Sequence, residues 1–181
     1  MIKLGARELR TTTPSEHDLK KIKKNPIYIV LDNVLDTYNV GGIFRLADAV
    51  AAEKVILCGE TETPPSSRIK KASINTTEWV TWSYASTAVE ALQKLRTKNS
   101  ELRTIAIEQH PKSVSYDKAD YKFPIALVVG HESGGVSKEV LQSRMIDEIV
   151  EIPMWGVNKS LNVIVSLGLV LYKVMEKCQR S

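Results

Sequence analysis

Cysteine is scarce in this chain. Cys58 and Cys178 stand far apart, with no CxxC pair and no Cys/His cluster. That pattern argues against a disulfide framework and against a zinc site, and no metal is expected. Long apolar runs are missing too, since none approaches the roughly 18 to 20 residues of a membrane span. The opening MIKLGARELRTTTPSEHDLKK lacks the hydrophobic centre of a signal peptide, so the expectation is a cytoplasmic protein with no membrane partner. Neither GxGxxG nor GxxxxGK[ST] occurs, which leaves out the dinucleotide fingerprint and the phosphate loop of nucleotide hydrolases. There are no internal repeats and no low-complexity segments.

What is present suits one compact domain: 181 residues, 43% hydrophobic and 25% charged. The formal charge is +4, and its placement is uneven. Residues 1–26 hold seven Lys/Arg against three acids, a surplus of four that equals the whole net charge and leaves the remainder neutral. Residues 1–24 therefore read as a basic extension and 25–181 as the body. A basic arm on a balanced body suits a polyanion such as nucleic acid, although a merely solvated terminus has the same composition.

Strand-like and helix-like runs alternate through the body, which predicts an α/β fold with a mostly parallel sheet flanked by helices. Strands are expected at 27–32, 54–59, 78–84, 103–108, 123–130 and 147–153. Helices are expected at 40–51, 68–72, 87–95, 136–144 and from 160 to about 177, with a loop from 109 to 121.

Three stretches carry residues that a plain fold does not require. In NVGGIFR (39–45) Asn39 is a good helix N-cap, yet Gly41 and Gly42 follow it at a cost of roughly 1 kcal/mol each relative to alanine. Close approach of a ligand or of another backbone is one reason to keep them. Arg45 lies about 240° further round that helix, so it shares a site with Asn39 only if Asn39 reaches in from the helix end. An ion pair with Asp48 is the alternative use of Arg45. In VVGHESGGVSKEVL (128–141) a buried strand ends in glycine and a polar turn, at the edge of an open α/β sheet where ligands sit. Glu132 is the acid of that turn, either as a working carboxylate or as an acceptor for backbone N–H groups; His131 has no recognisable triad or metal partner.

The third stretch is EIPMWGVNKSLNVIVSLGLVLY (151–172), where Asn158, Lys159, Ser160 and Asn162 crowd the mouth of a helix that is otherwise apolar. Its polar residues Asn162, Ser166, Lys173 and Lys177 form one narrow stripe. A helix apolar over most of its circumference is buried on several sides. Packing against a second copy of the chain achieves that, as does a central place in the core.

Taken in order, NxGxxxR (Asn39 to Arg45), GxExxG with GxxxE (Gly130 to Glu139) and IPMxGxxxSLNV (Ile152 to Val163) resemble the three motifs of the SpoU branch of the SPOUT RNA methyltransferases. The resemblance covers about Ile27 to Lys177 and departs at Ile164 and Val165, where the family has a small residue. It implies an α/β domain with a deep C-terminal trefoil knot, an exception to the rule against threaded chains. It implies methyl transfer from S-adenosylmethionine to a ribose 2′-hydroxyl of RNA, with tRNA favoured over rRNA. The cofactor would be held by Gly130, Glu132, Gly134, Ile152, Pro153, Met154, Gly156, Ser160, Leu161 and Asn162. Arg45, Asn39, Glu132, Ser160 and Asn162 would serve the reaction, and a homodimer through the C-terminal helix would complete the site. Phosphate contacts are expected from Lys20, Lys21, Lys23, Lys24, Arg68, Lys70 and Lys71. The competing reading is a knotted RNA-binding homologue that has lost catalysis.

Overall fold

A computed structural model describes residues 3–178; Met1 and Ile2 of the expected basic extension, and residues 179–181 of the expected body, lie outside the described residues. In chain order the elements are α1 (Glu16–Lys20), β1 (Asn25–Asp32), α2 (Thr37–Ala49), β2 (Ala52–Cys58), α3 (Ser67–Ser73), β3 (Trp82–Ala85), α4 (Ala88–Lys98), β4 (Arg103–Ile107), β5 (Val114–Ser115), β6 (Ile125–Gly130), α5 (Lys138–Leu141), β7 (Glu148–Glu151) and α6 (Val163–Cys178). The strands form one sheet in the order β3-β2-β1-β6-β4-β7-β5, with every pairing parallel.

The continuous apolar runs of the central strands follow from burial on both faces. In β1, Ile27, Ile29 and Leu31 point to the layer holding α2 and α6, while Val30 joins Ala91 and Leu92 of α4 on the other side. β6 divides the same way, Ile125, Leu127 and Val129 against Ala126 and Val128. The sheet is thus sandwiched between helices, as the alternation of strand-like and helix-like runs predicts.

Most boundaries shift by one to three residues, and five differences have a structural cause. The expected strand 78–84 is shortened to Trp82–Ala85, because Ile74 and Asn75 take left-handed conformations (φ 53° and 63°) and the chain then makes a 3-10 turn at Thr76–Glu78. The helix expected at 136–144 is only Lys138–Leu141, ended by a turn in which Ser143 Oγ donates to the Val140 carbonyl at 2.6 Å. β5 lies inside the expected loop 109–121.

The other two bear on the site. α2 starts at Thr37, and its cap is Asp36, whose side chain accepts from the Tyr38 N–H at 2.8 Å. Asn39 is therefore a buried first-turn residue and not the cap. α6 starts at Val163 rather than 160, because Asn162 is its cap: Oδ1 accepts from the Ile164 N–H at 2.8 Å and the carbonyl from the Ser166 N–H at 3.0 Å. The glycines of α2 answer to packing. A Cβ on Gly41 would sit 2.5 Å from the Ala72 Cβ and 2.8 Å from the Ser73 backbone nitrogen, so α3 approaches α2 closely there.

Candidate functional site

The site grows from the carboxyl ends of β1, β4, β6 and β7. At the end of β6 the chain reverses through residues 131–135, closed by His131 N–H to the Gly135 carbonyl (3.0 Å) and Gly135 N–H to the His131 carbonyl (2.8 Å). Gly130 is required by this reversal, since a Cβ there would lie 2.2 Å from the Gly135 carbonyl carbon and oxygen and the Val136 nitrogen. Gly135 has φ 68° and lies against the Glu108 carboxylate, which accepts from the Val136 N–H at 2.7 Å and the Gln109 N–H at 2.8 Å. Buried Asp32, ending β1, accepts from the Ser137 N–H at 2.8 Å. Acceptors at three strand ends therefore fix the turn and its exit.

Glu132, carried on that turn, reaches back to α2. Its carboxylate accepts from the Leu35 N–H (3.3 Å), the Asp36 N–H (3.0 Å) and Asn39 Nδ2 (2.8 Å). Partial burial pushes its pKa up, but the donors at Asn39, its own backbone, Asp36 and Leu35 outweigh that and hold the carboxyl below its ordinary value. Asn39 Oδ1 accepts in turn from Asn162 Nδ2 at 3.0 Å. One chain of hydrogen bonds, Glu132–Asn39–Asn162, thus joins residues from all three sequence motifs.

Beside this chain lies a cleft of about 570 Å³, within the size range of small-molecule sites. Of the ten expected cofactor residues, Gly130, Glu132, Ile152, Met154, Ser160, Leu161 and Asn162 line it, whereas Gly134, Pro153 and Gly156 do not. Glu108, Gln109, His131, Lys159 and Ser166 also line it and were not singled out for it. For Glu108 and Gln109 the available signal was their place just beyond β4, at the same sheet edge as Gly130. Gln109 Nε2 donates to the Lys159 carbonyl and pins the loop before α6.

Arg45 is exposed, does not line the cleft of its own chain and has no partner among the described residues; the ion pair with Asp48 is not formed, for Asp48 instead accepts from Trp79 Nε1 at 2.7 Å. Lys20 pairs with Glu16 (3.8 Å) and Lys70 with Glu78 (3.1 Å). Lys21, Lys23, Arg68 and Lys71 are exposed, and Lys24 is half-buried. Asn75 Nδ2 donates to the Leu9 carbonyl at 2.7 Å, which ties the basic extension to the segment following α3. No group of three or more His, Cys, Asp or Glu among the described residues is placed to hold a metal ion, and no described helix is long and apolar enough to cross a membrane.

Comparison with known proteins bears on this arrangement. A tRNA (guanosine(18)-2′-O)-methyltransferase of Aquifex aeolicus is 33% identical over 165 residues, covering 88% of this chain and 72% of its own length. A 23S rRNA (guanosine-2′-O-)-methyltransferase of Ralstonia nicotianae is 31% identical over 159 residues; the match covers 88% of this chain but only 62% of that relative. The crystal structure of an AdoMet-bound rRNA methyltransferase from Sinorhizobium meliloti superposes with a TM-score of 0.76 at 29% identity, over 88% of this chain and 60% of that one. The fold is that of these methyltransferases. The model of the SpoU rRNA methylase family matches residues 26–172, the span that contains the three motifs, the hydrogen-bond chain and the cleft, and the protein belongs to that family.

Proposed function

We propose that this protein transfers a methyl group from S-adenosylmethionine to a ribose 2′-hydroxyl of RNA. The observation that carries the reading is the Glu132–Asn39–Asn162 chain, which brings all three motifs to the rim of one cleft. The cleft suits the cofactor chemically. Its wall combines apolar Ile107, Val129, Ile152 and Met154 with the carboxylates of Glu108, Glu132 and Glu151, a setting favourable to a cationic ligand with an apolar ring system. S-adenosylmethionine, when bound, supplies an activated methyl on a sulfonium centre. Gly130, Glu132, Ile152, Met154, Ser160, Leu161 and Asn162 would hold it, with Gly134, Pro153 and Gly156 shaping the loops on either side.

A ribose 2′-hydroxyl is a weak acid, so the remaining task is orientation and handling of its charge. Arginine stays protonated, and Arg45 accordingly acts as the cation that stabilises the developing alkoxide or grips the adjacent phosphate. Arg45 lies outside the cleft of its own chain, and α6 presents an exposed apolar stripe of Val165, Leu169 and Tyr172, which Leu161 extends from the loop before the helix. Both observations support a homodimer through α6 in which a second copy completes the site. The C-terminal segment is read as the trefoil knot of the family, residues 25–181 as the catalytic domain and 1–24 as a basic extension. Extension lysines, with Arg68, Lys70 and Lys71, contact RNA phosphates, and the location is cytoplasmic. DNA lacks the nucleophile, which makes RNA the substrate. The RNA is proposed to be tRNA rather than rRNA; relatives acting on each match this chain, a tRNA-modifying one at 33% identity and an rRNA-modifying one at 31%.

Calorimetric titration with S-adenosylmethionine, paired with filter binding of labelled tRNA and rRNA, tests the reading. Saturable binding of both cofactor and RNA is expected. RNA binding without cofactor binding would replace the reading by that of a knotted RNA-binding protein.

A further inference from the structure

His131 lines the cleft, yet the hydrogen-bond chain at its rim leaves this residue unused. Its backbone is fixed at both ends, N–H and carbonyl each bonded to Gly135. Its ring is fixed as well. Nδ1 accepts from the Ser133 N–H at 3.0 Å and the Gly134 N–H at 3.2 Å, with Ser133 Oγ at 3.2 Å. Backbone N–H groups can only donate, so Nδ1 must keep its lone pair and the ring proton of the neutral imidazole resides on Nε2.

Two consequences follow. The ring cannot act as a base toward a ligand, because its one lone pair is held by the turn. Its Nε2–H, on the opposite side of the ring, is a donor with no partner among the described residues, carried by a residue that lines the cleft. Donors of this kind bind oxygen, most strongly anionic oxygen. We propose that His131 is a ligand-positioning residue whose Nε2–H donates to an anionic oxygen in the cleft. Resting on the proposed function, that oxygen is either the carboxylate of the cofactor's amino-acid end or a phosphate beside the target ribose.

Two substitutions separate the turn from the donor. In His131→Asn the side-chain carbonyl replaces Nδ1 as the acceptor of the turn, and the Nε2–H donor is gone. In His131→Gln an amide N–H stands near the former Nε2, but the turn loses its acceptor. Nitrogen-15 spectra of the full chain, with the His131 signals identified by their loss in His131→Asn, are expected to show a protonated Nε2 and a bare Nδ1. A bare Nε2 would overturn the proposal. Removing a donor to a charged oxygen weakens binding by about tenfold, so His131→Asn is expected to raise either the S-adenosylmethionine Kd or the RNA Kd by that factor, with recovery in His131→Gln. A change in the cofactor Kd identifies the carboxylate, and a change in the RNA Kd the phosphate. If His131→Asn binds both ligands as the unaltered protein does, the proposal is wrong. If the unaltered protein binds neither ligand, the functional reading has failed, and the ligand assignment of His131 falls with it while the tautomer result stands.

Discussion

Replacing Glu132 by glutamine tests whether one carboxylate organises the rim of the cleft. Glu132 takes two hydrogen bonds on Oε1, from the Asp36 N–H and Asn39 Nδ2, and a longer one on Oε2 from the Leu35 N–H at 3.3 Å. Glutamine keeps one acceptor oxygen, so two bonds survive without charge and the third meets an amide N–H₂. Hydrogen bonds to a charged group contribute about 1.5–3 kcal/mol and neutral ones about 0.5–1.5 kcal/mol, a difference of roughly 1 kcal/mol per surviving bond. Solvent reaches this exposed side chain and screens about half of that, which leaves a loss of about 1 kcal/mol at neutral pH. Urea denaturation measures it as a midpoint lowered by about 0.5 M, with an unchanged slope. The pH dependence has a definite sign. The folded carboxyl titrates below its ordinary value, so its contribution is complete above the unfolded carboxyl pKa of about 4.3 and is lost as pH falls through the folded pKa. The gap between Glu132→Gln and the parent is expected at pH 7 and should narrow as pH falls below about 4.3. Equal midpoints at pH 7, or a gap that widens as pH falls below that value, would refute the reasoning.

Gly130→Ala forces a Cβ into backbone atoms 2.2 Å away and is expected to destabilise the fold by about 3 kcal/mol or more in thermal unfolding. Gly168→Ala meets only ordinary contact, 3.6 Å from Leu46 Cδ2, and should stabilise α6 by about 0.5–1 kcal/mol in the same assay. Burial, then the nearby charges of Asp32 and Glu90, raise the Cys58 thiol to about 12. Labelling by a thiol reagent at pH 8 should therefore proceed at Cys58 only on unfolding, and rapid labelling of Cys58 in the folded protein, told apart from the half-buried Cys178 by peptide mapping, would contradict the burial. Neutralising Lys20, Lys21, Lys23 and Lys24 should weaken RNA binding and flatten its dependence on salt, since each phosphate contact steepens that slope by about 0.9 for duplex nucleic acid. An unchanged slope would remove the extension from the RNA footprint.

Much of the fold was legible in the sequence because β1, β2, β4 and β6 carry apolar runs buried on both faces, and such runs stand out without periodicity. β5 is two residues long and carries no such signal. Asn39 was misplaced as a cap because Asp36, three residues earlier, is an equally good one, and only the partner of each side chain decides between them. The crowd of polar residues before α6 resolves similarly: Asn162 caps the helix with Oδ1 and uses Nδ2 to hold Asn39, while Asn158 and Ser160 lie exposed in the preceding loop. Glu108 escaped notice because its partner, the Val136 N–H, is 28 residues away. Contacts at that distance leave no local pattern. The motifs themselves were legible as a set, and the family match over residues 26–172 bears out that resemblance.

The most direct test of the central claim is transfer of labelled methyl from S-adenosylmethionine to separated tRNA and rRNA pools, with Arg45→Ala as control and nuclease digestion to locate the label. The account requires label on a ribose 2′-oxygen that is lost in Arg45→Ala. Label on a base, or transfer undiminished in Arg45→Ala, would contradict it.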